Sequence, residues 1–578
     1  MSIGQVARSK GLALIIAAGL VGAACSSGDD GPSADGGGGT AASGAAATVG
    51  DVPTGDSTGT TTTATGAAVT AGLATTTPAG TKPVDRITWA LYRDVTNLDP
   101  VQAFDYPENT VLAILCESPL RQTPDGQIVP GLATLTQPDE LTLVLDIRQG
   151  ATFWNGDPVT ADDIAFSLNR NLDPAVPSFY GATYNRVKSI IATDADTVTI
   201  TLTEPDVWMT GVLASPSAWV VQRSFVEAAG ADFGSPSGRT MCSGSYALGD
   251  WETGSPLSAV RNDSYWQPDV KPLVAQIDFT GAPDPIALSA ALQAGDVNGY
   301  YAFASIPTLQ QLKSDSNLTL TEGSGRQLDA LIVGGGTGTT LGDVKARQAL
   351  SLALDRQSYI DNVLAGGGQI PKSFATPGTW GYARDVFQAA YDALPSLDQD
   401  LDAAKALAKE AGLAGKTITL GLISEVPPMV AEAALFQQAA EALGMKVELR
   451  PFPADQYISL FIDPAAREGI DGWFTVIYPD VADPAAFFNQ FGVPGAVSNY
   501  SGYENPEVTR LIDEARSTAD DTARAELVVK AQALLMNALP YIPVAFPYNL
   551  LITSSNLSGA VASFTNMDAP WADDLGGV

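Results

Sequence analysis

Ser57 stands in GDSTG (55–59), the Gly-x-Ser-x-Gly spacing of a nucleophile elbow, and GLAGKT (412–417) ends like a phosphate-binding loop. Neither supports chemistry. An elbow needs a strand before the serine, a helix after it and a base to take its proton. Ser57 lies in a Gly/Thr-rich run, and the chain contains no histidine. The second motif lacks the first glycine and runs into TITLGLI (417–423), a strand pattern, where a phosphate loop must begin a helix. DQDLD (398–402) alternates carboxylates as a calcium loop does, without the turn glycine or the Glu at the twelfth position. Asp402 reads instead as an acid at the start of the helix DAAKALAKEAG (402–412). The absence of histidine removes the commonest general base and the commonest transition-metal ligand. Cys25, Cys116 and Cys242 are too few and wrongly spaced for a zinc ribbon or an iron–sulfur cluster. A carboxylate pair is what remains for hydrolysis, and spacing alone locates none. The residues therefore point to binding, with no metal and no cofactor.

Acidic residues outnumber basic ones 64 to 31, a net charge of −33. That excludes non-specific attraction to nucleic acid or to anionic headgroups. Arg8 and Lys10 precede GLALIIAAGLVGAA (11–24), the length of an export-signal core and short for a membrane span. Gly22, Ala23 and Ala24 lead into Cys25, and the arrangement resembles a bacterial lipobox, whose cysteine is diacylated and becomes the mature N-terminus. Gly22 occupies the place of the usual large aliphatic residue, and an ordinary secretory signal with an incidental cysteine is the alternative. Residues 1–24 are thus expected to be a signal peptide. Residues 25–82, rich in Gly, Ala, Ser and Thr, are expected to be a lipid-anchored tether, since such a composition buries no core.

The body must supply the elements that position any site. The chain has 578 residues, so once its processed ends are removed at least two lobes or domains are expected. Strand-like RITWALY, LTLVLDIR, TVTITLT, TITLGLI, KVELR and WFTVIY alternate with helix-like DVKARQALSLALDR, AEAALFQQAAEALG and ENPEVTRLIDEARS, which predicts an α/β body without repeats. In FWNGDPVTADDIAFSLNR (153–170), NGDP supplies a turn and Thr160 caps a helix with Asp163 three residues on. Phe153 and Trp154 are placed to dock that unit on a core. Taken alone, the unit is structural.

The same stretch nevertheless resembles the signature of the extracellular solute-binding proteins of family 5, the peptide- and nickel-binding receptors of ABC importers. LDP (98–100), PGLAT (130–134), CSGSYAL with VRNDSYW (242–266), ALQAGDVN (291–298), KARQALSLALDRQSYID (345–361), YPDVADPAAFF (478–488), SNYSGYENPEV (498–508) and AQALLMNALPYIPV (531–544) follow in the family's order. The resemblance covers 86–550. It implies a two-lobed, clam-like periplasmic-binding fold with an inserted subdomain in the first lobe. Lobe I would span 83–323, lobe II 324–545, and 546–578 would return to lobe I. Two crossings between the lobes would act as a hinge.

The resemblance also implies a site. In peptide-binding relatives an Asp in the segment matching YPDVADP pairs with the ligand's α-amino group, and Asp480 holds that position here. The structural alternative is that Asp480 or Asp483 caps the helix beginning near Pro484. Tyr478, Trp473, Phe104, Asp105, Tyr106, Trp380 and Tyr382 are the further candidates for the cleft wall. Dipeptide receptors carry an Arg just after the strand matching TITLGLI, where this chain has SEVPPMV, and nickel receptors depend on a histidine. A longer peptide, or another cationic or sugar-like solute, is therefore expected. An oligosaccharide would require stacking on Trp380, Trp473, Tyr478 and Tyr106, and a secreted carboxylate-dependent hydrolase is the reading from a different class. Cys116 and Cys242 both fall in lobe I on the exported side, where they could pair or stay as buried thiols. The partners implied are a peptide or other small polar solute and permease subunits, with the membrane met only through the lipid on Cys25. The receptor is expected to be a monomer, anchored on the outer face of the cytoplasmic membrane.

Overall fold

The computed structural model describes residues 73–302, 308–334, 339–424, 426–479, 481–496 and 498–578, all within one unit, Ala64–Val578. The expected signal peptide, Cys25 and most of the expected tether lie outside the described residues. No helix among the described residues is long and apolar enough to cross a membrane.

Two mixed sheets form the body. The first has seven strands in the order Leu318–Gly323, Asn549–Ser554, Gly299–Ala302, Ile87–Leu91, Gln276–Gly281, Leu257–Arg261 and Tyr246–Leu248. Its centre is parallel, Ile87–Leu91 pairing with Gln276–Gly281 and Gly299–Ala302, and its flanks are antiparallel. The second has six strands in the order Gly368–Gln369, Tyr541–Pro547, Leu328–Val333, Gly472–Ile477, Thr417–Ile423 and Lys446–Phe452. Leu328–Val333 is buried at every position, as a strand covered on both faces must be. Helices Val344–Ala353 and Pro427–Ala442 pack their apolar sides in the core that covers it.

A four-stranded antiparallel sheet, Ala133–Asp139, Thr142–Ile147, Thr197–Leu202 and Val187–Ala192, is inserted within the first lobe's segment. Alternate residues of Thr197–Leu202 are buried, which is the pattern of a sheet covered on one face. The helix Ala161–Asn169 covers it, and the capping box is formed: Thr160 Oγ1 accepts from Asp163 N while the Asp163 carboxylate accepts from Thr160 N. Phe153 is buried in this core, and Trp154 packs instead on the core of the seven-stranded sheet.

The chain crosses from the first sheet to the second between Gly323 and Leu328 and returns between Pro547 and Asn549. The return lies slightly beyond the expected 546, because Tyr541–Pro547 keeps pairing with Gly368–Gln369 through Phe546 and Pro547. After it, the C-terminal segment seals the first lobe: Trp571 is fully buried, its ring 4.3 Å from that of Trp89, and its Nε1 donates to Thr110 O at 2.7 Å. Cys116 and Cys242 are joined in the same core by a disulfide with Cα atoms 4.9 Å apart.

One boundary differs from expectation. From Ala74 onward the chain is bonded to the body, through Ala74 N to Glu322 O, Thr77 N to Ala560 O and Lys82 N to Gly577 O, so the tether cannot extend to 82. Small residues permit this contact rather than loosening the chain. A Cβ on Gly80 would lie 2.4 Å from Gly576, so the two backbones touch where glycine faces glycine.

Candidate functional site

Tyr478 directly follows the central strand Gly472–Ile477 of the second sheet, and its hydroxyl donates to Phe104 O, in a loop of the first lobe, at 2.8 Å. The next helix, Tyr106–Leu115, begins at that loop, capped by Asp105 and with Pro107 in its first turn. The Tyr106 ring meets the Tyr478 ring edge-on at 5.5 Å and Phe564, from the C-terminal segment, at 6.1 Å. Tyr478 and Phe564 lie 5.3 Å apart. Gln327, in the first crossing segment, donates from Nε2 to the Tyr106 hydroxyl at 2.5 Å. Burial, then the Asp105 carboxylate, push the Tyr106 hydroxyl well above its ordinary value, so it remains a neutral phenol. Both lobes and one crossing thus meet in one aromatic cluster.

This cluster gathers three of the sequence candidates, Phe104, Tyr106 and Tyr478. Phe104 is 43 % exposed and stacks on Phe179 at 4.3 Å. Gln327 and Phe564 complete it and carry no recognisable sequence signal, because each is brought in by the return of a distant segment. The cluster offers aromatic faces, hydroxyls and a main-chain carbonyl. It contains no nucleophile paired with a base, and no group of three or more Cys, Asp or Glu able to hold a metal ion occurs among the described residues. Aromatic faces flanked by a few polar groups are what a binding surface for an organic solute offers.

The other candidates have different roles. Asp105 accepts from Tyr106 N at 2.8 Å, from the Tyr92 hydroxyl and from Arg93 Nη2 at 2.6 Å, while Arg93 is also forked onto Glu108 at 2.7 Å. It is a helix cap already matched to a cation, not a vacant carboxylate. Trp473 is fully buried among Phe461, Tyr500 and the Arg467 guanidinium. Trp380 is buried against Phe387 and Tyr391, and Arg524 lies over the Tyr382 ring at 3.7 Å. In this arrangement the Trp380 and Trp473 rings belong to packed interior, and the Tyr382 ring is half-buried beneath Arg524. The indole N–H groups of Trp380 and Trp473 nonetheless find no acceptor among the described residues. Asp483 caps the helix Pro484–Gly492, accepting from Ala485 N at 2.7 Å and Ala486 N at 3.3 Å. The capping role open to either aspartate is therefore filled by Asp483. Asp480 lies outside the described residues.

A second junction joins the inserted subdomain to the second lobe. Arg516, closing the helix Pro506–Arg516, donates from Nε to Asp206 Oδ1 at 2.9 Å and from Nη2 to Asp206 Oδ2 at 2.5 Å, with both side chains nearly inaccessible. Its guanidinium also covers the Trp208 ring at 4.4 Å. Nearby, Arg186 reaches Asp513 at 3.0 Å and Ser517 at 2.9 Å. The fork geometry suits a carboxylate in two-point contact.

Comparison with known proteins places this architecture. The chain is 27 % identical over 506 residues to the oligopeptide-binding protein OppA of Bacillus subtilis, covering 80 % of this chain and 88 % of that protein. The periplasmic binding protein DppA of Helicobacter pylori, solved with the peptide STSA, superposes with a TM-score of 0.73 at 20 % identity, over 86 % of this chain and 98 % of that one. AppA of Bacillus subtilis, solved with a nonapeptide, gives a TM-score of 0.71 at 19 % identity, over 86 % and 99 %. These structures are two-lobed periplasmic binding proteins, and the fold described above is theirs. The sequence model for the middle region of the bacterial extracellular solute-binding proteins of family 5 matches residues 127–499. With two sheets joined by two crossings, an aromatic cluster where the lobes meet and that match across most of its length, the chain belongs to the extracellular solute-binding proteins of family 5.

Proposed function

We propose that this chain is the extracytoplasmic receptor of an ABC importer, held at the outer face of the cytoplasmic membrane by a lipid on Cys25, and that it captures peptides between its lobes. The observation that carries the reading is the hydrogen bond from Tyr478 to Phe104 beside the double crossing, which joins one lobe to the other where a hinged clam must close. Relatives named for oligopeptide binding, and the peptide-bound structures among the fold's neighbours, support the ligand class. On the resemblance of YPDVADP to the family's segment, Asp480 pairs with the peptide's α-ammonium. The absence of an Arg in SEVPPMV favours a ligand longer than a dipeptide, held mostly through its main chain. The receptor acts as a monomer that presents its closed form to the permeases.

The oligosaccharide alternative is weakened by burial of Trp380 and Trp473, which leaves Tyr106 and Tyr478 of the four rings it requires. Calorimetric titration of the full-length protein with alanine oligomers of two to five residues, beside maltooligosaccharides, tests the reading. Binding of the tri- to pentapeptides and not of the sugars is expected; the reverse would replace it. For the anchor, Cys25→Ser is expected to release the protein into the medium, and retention in the membrane fraction would exclude lipidation at that residue.

A further inference from the structure

In the fully buried strand Leu328–Val333, Asp329 is the one charged residue. From the facing helix Pro427–Ala442, Glu432 points inward as well, and the two are 6 % and 3 % exposed. Both meet the Tyr359 hydroxyl, 3.3 Å from Asp329 Oδ2 and 3.2 Å from Glu432 Oε1. A phenol carries one proton, so it can donate to only one of these carboxyls at a time. Asp329 Oδ1 and Glu432 Oε2 receive no hydrogen bond among the described residues, and neither carboxyl forms an ion pair there. Both side chains are more than nine-tenths buried, and their remaining oxygens face the cavity that the two residues line. Burial pushes Asp329 up to about 7, and burial with the Asp329 charge pushes Glu432 well above the ordinary carboxylate range.

The pair lines a cavity of about 70 Å³ between the two sheets. Leu309 and Leu550 close it from the first lobe, and Leu364, Val426 and Met429 from the second. Lys313, the cavity's own cation, is held by Glu322 at 3.1 Å and by Ala365 O at 2.9 Å. A space of that size takes a few water-sized groups, which is the end of a side chain and not a peptide. Apolar walls ending in two adjacent carboxyls match a methylene stem that ends in a cation.

We propose that Asp329, Glu432 and Tyr359 form a subsite for a cationic side chain of the bound ligand, a lysine ammonium or an arginine guanidinium. The subsite rests on the peptide reading and deepens it. A lysine stem lies along Leu364 and Met429 while its ammonium donates to both carboxyls, and the proton that the carboxyl pair carries without a bound cation leaves to solvent. The Tyr359 hydroxyl then serves whichever oxygen the cation leaves open.

The test is calorimetry on the full-length protein with tetra-alanine and with tetra-alanine peptides carrying lysine or norleucine at each position in turn. At one position lysine is expected to bind at least tenfold more tightly than norleucine, with proton release visible in buffers of different ionisation heat. The isosteric pair Asp329→Asn with Glu432→Gln is expected to erase that preference and to leave tetra-alanine binding within about threefold. Equal affinity for lysine and norleucine at every position would overturn the subsite and leave the receptor reading intact. A preference that survives in a double variant still binding tetra-alanine would also overturn it. Failure of all these peptides to bind the unaltered protein would overturn the peptide reading and the subsite with it. The lysine-to-norleucine ratio in the unaltered protein reads out the subsite even if the variant does not fold.

Discussion

Asp329 and Glu432 give the empty protein a pH dependence whose sign follows from burial. The groups around them are the Tyr359, Tyr106 and Tyr457 phenols, all pushed well above their ordinary values, and the Lys313–Glu322 pair across the cavity. Asp329 holds its proton to about pH 7 in the folded chain, whereas an unfolded aspartate loses it near its ordinary value of 3.8. Between those values the folded state carries more protons, so stability is greatest at the acidic end and falls as pH rises toward 7. Asp573, pushed up to about 7, and Asp568, to about 6, act in the same direction, chiefly through burial. Denaturant titrations of the unliganded protein from pH 5 to 8 are expected to show that decline. Asp329→Asn with Glu432→Gln should remove on the order of 2 kcal/mol of it; an unchanged slope in the double variant would mean the pair is ionised when empty. At the ligand's other end, Asp480→Asn is expected to weaken tetra-alanine binding by about tenfold or more, since a buried ammonium would lose its counter-charge. Undiminished affinity in titration calorimetry would remove Asp480 from the site.

Between elements, the fork of Arg516 on Asp206 is the contact most exposed to a single change. Asp206→Asn leaves a buried guanidinium without its charge partner, a loss of about 3–5 kcal/mol when a buried pair is broken. The junction joins the inserted subdomain to the second lobe, so the loss should favour separated lobes. Small-angle scattering is expected to report a larger radius of gyration for the unliganded variant, and an unchanged radius would show that the pair does not hold the lobes together. The Cys116–Cys242 disulfide acts inside one lobe by closing a loop of 126 residues. Replacing both cysteines by serine is expected to cost about 3–5 kcal/mol, read as a lower Tm, and to leave peptide affinity unchanged. What the sequence disclosed at this scale was local. Thr160 and Asp163 stand three residues apart, so their capping box is written in the order of the chain. The central strands were visible because their β-branched and apolar runs differ from the helical spacing around them. The carboxyl pair was not visible, since Tyr359 meets partners 30 and 73 residues away and only the folded sheet brings them together. One signal was available: an aspartate inside QLDALIV, an otherwise apolar strand, has no structural reason to be there. Trp380 and Trp473 are buried, which the sequence could not show, because aromatic residues in a binding family suit core and cleft equally well.

At the scale of the molecule, family and fold were legible because eight weak motifs keep their order along the body, and order survives where individual contacts do not. The architecture divides the work. Two sheets form the two lobes, two short crossings join them, and the cluster of Tyr106, Tyr478, Phe564 and Gln327 sits where the lobes meet beside the first crossing. Burial of a ligand on both sides gives affinity without any covalent step, and the closed form distinguishes a loaded receptor from an empty one. Native mass spectrometry of the gently purified full-length protein, followed by denaturation and identification of what is released, tests this account most directly. A ladder of peptides enriched in lysine or arginine is expected, whereas a single non-peptide mass, or a protein that takes up nothing from peptide mixtures, would overturn the peptide-receptor reading.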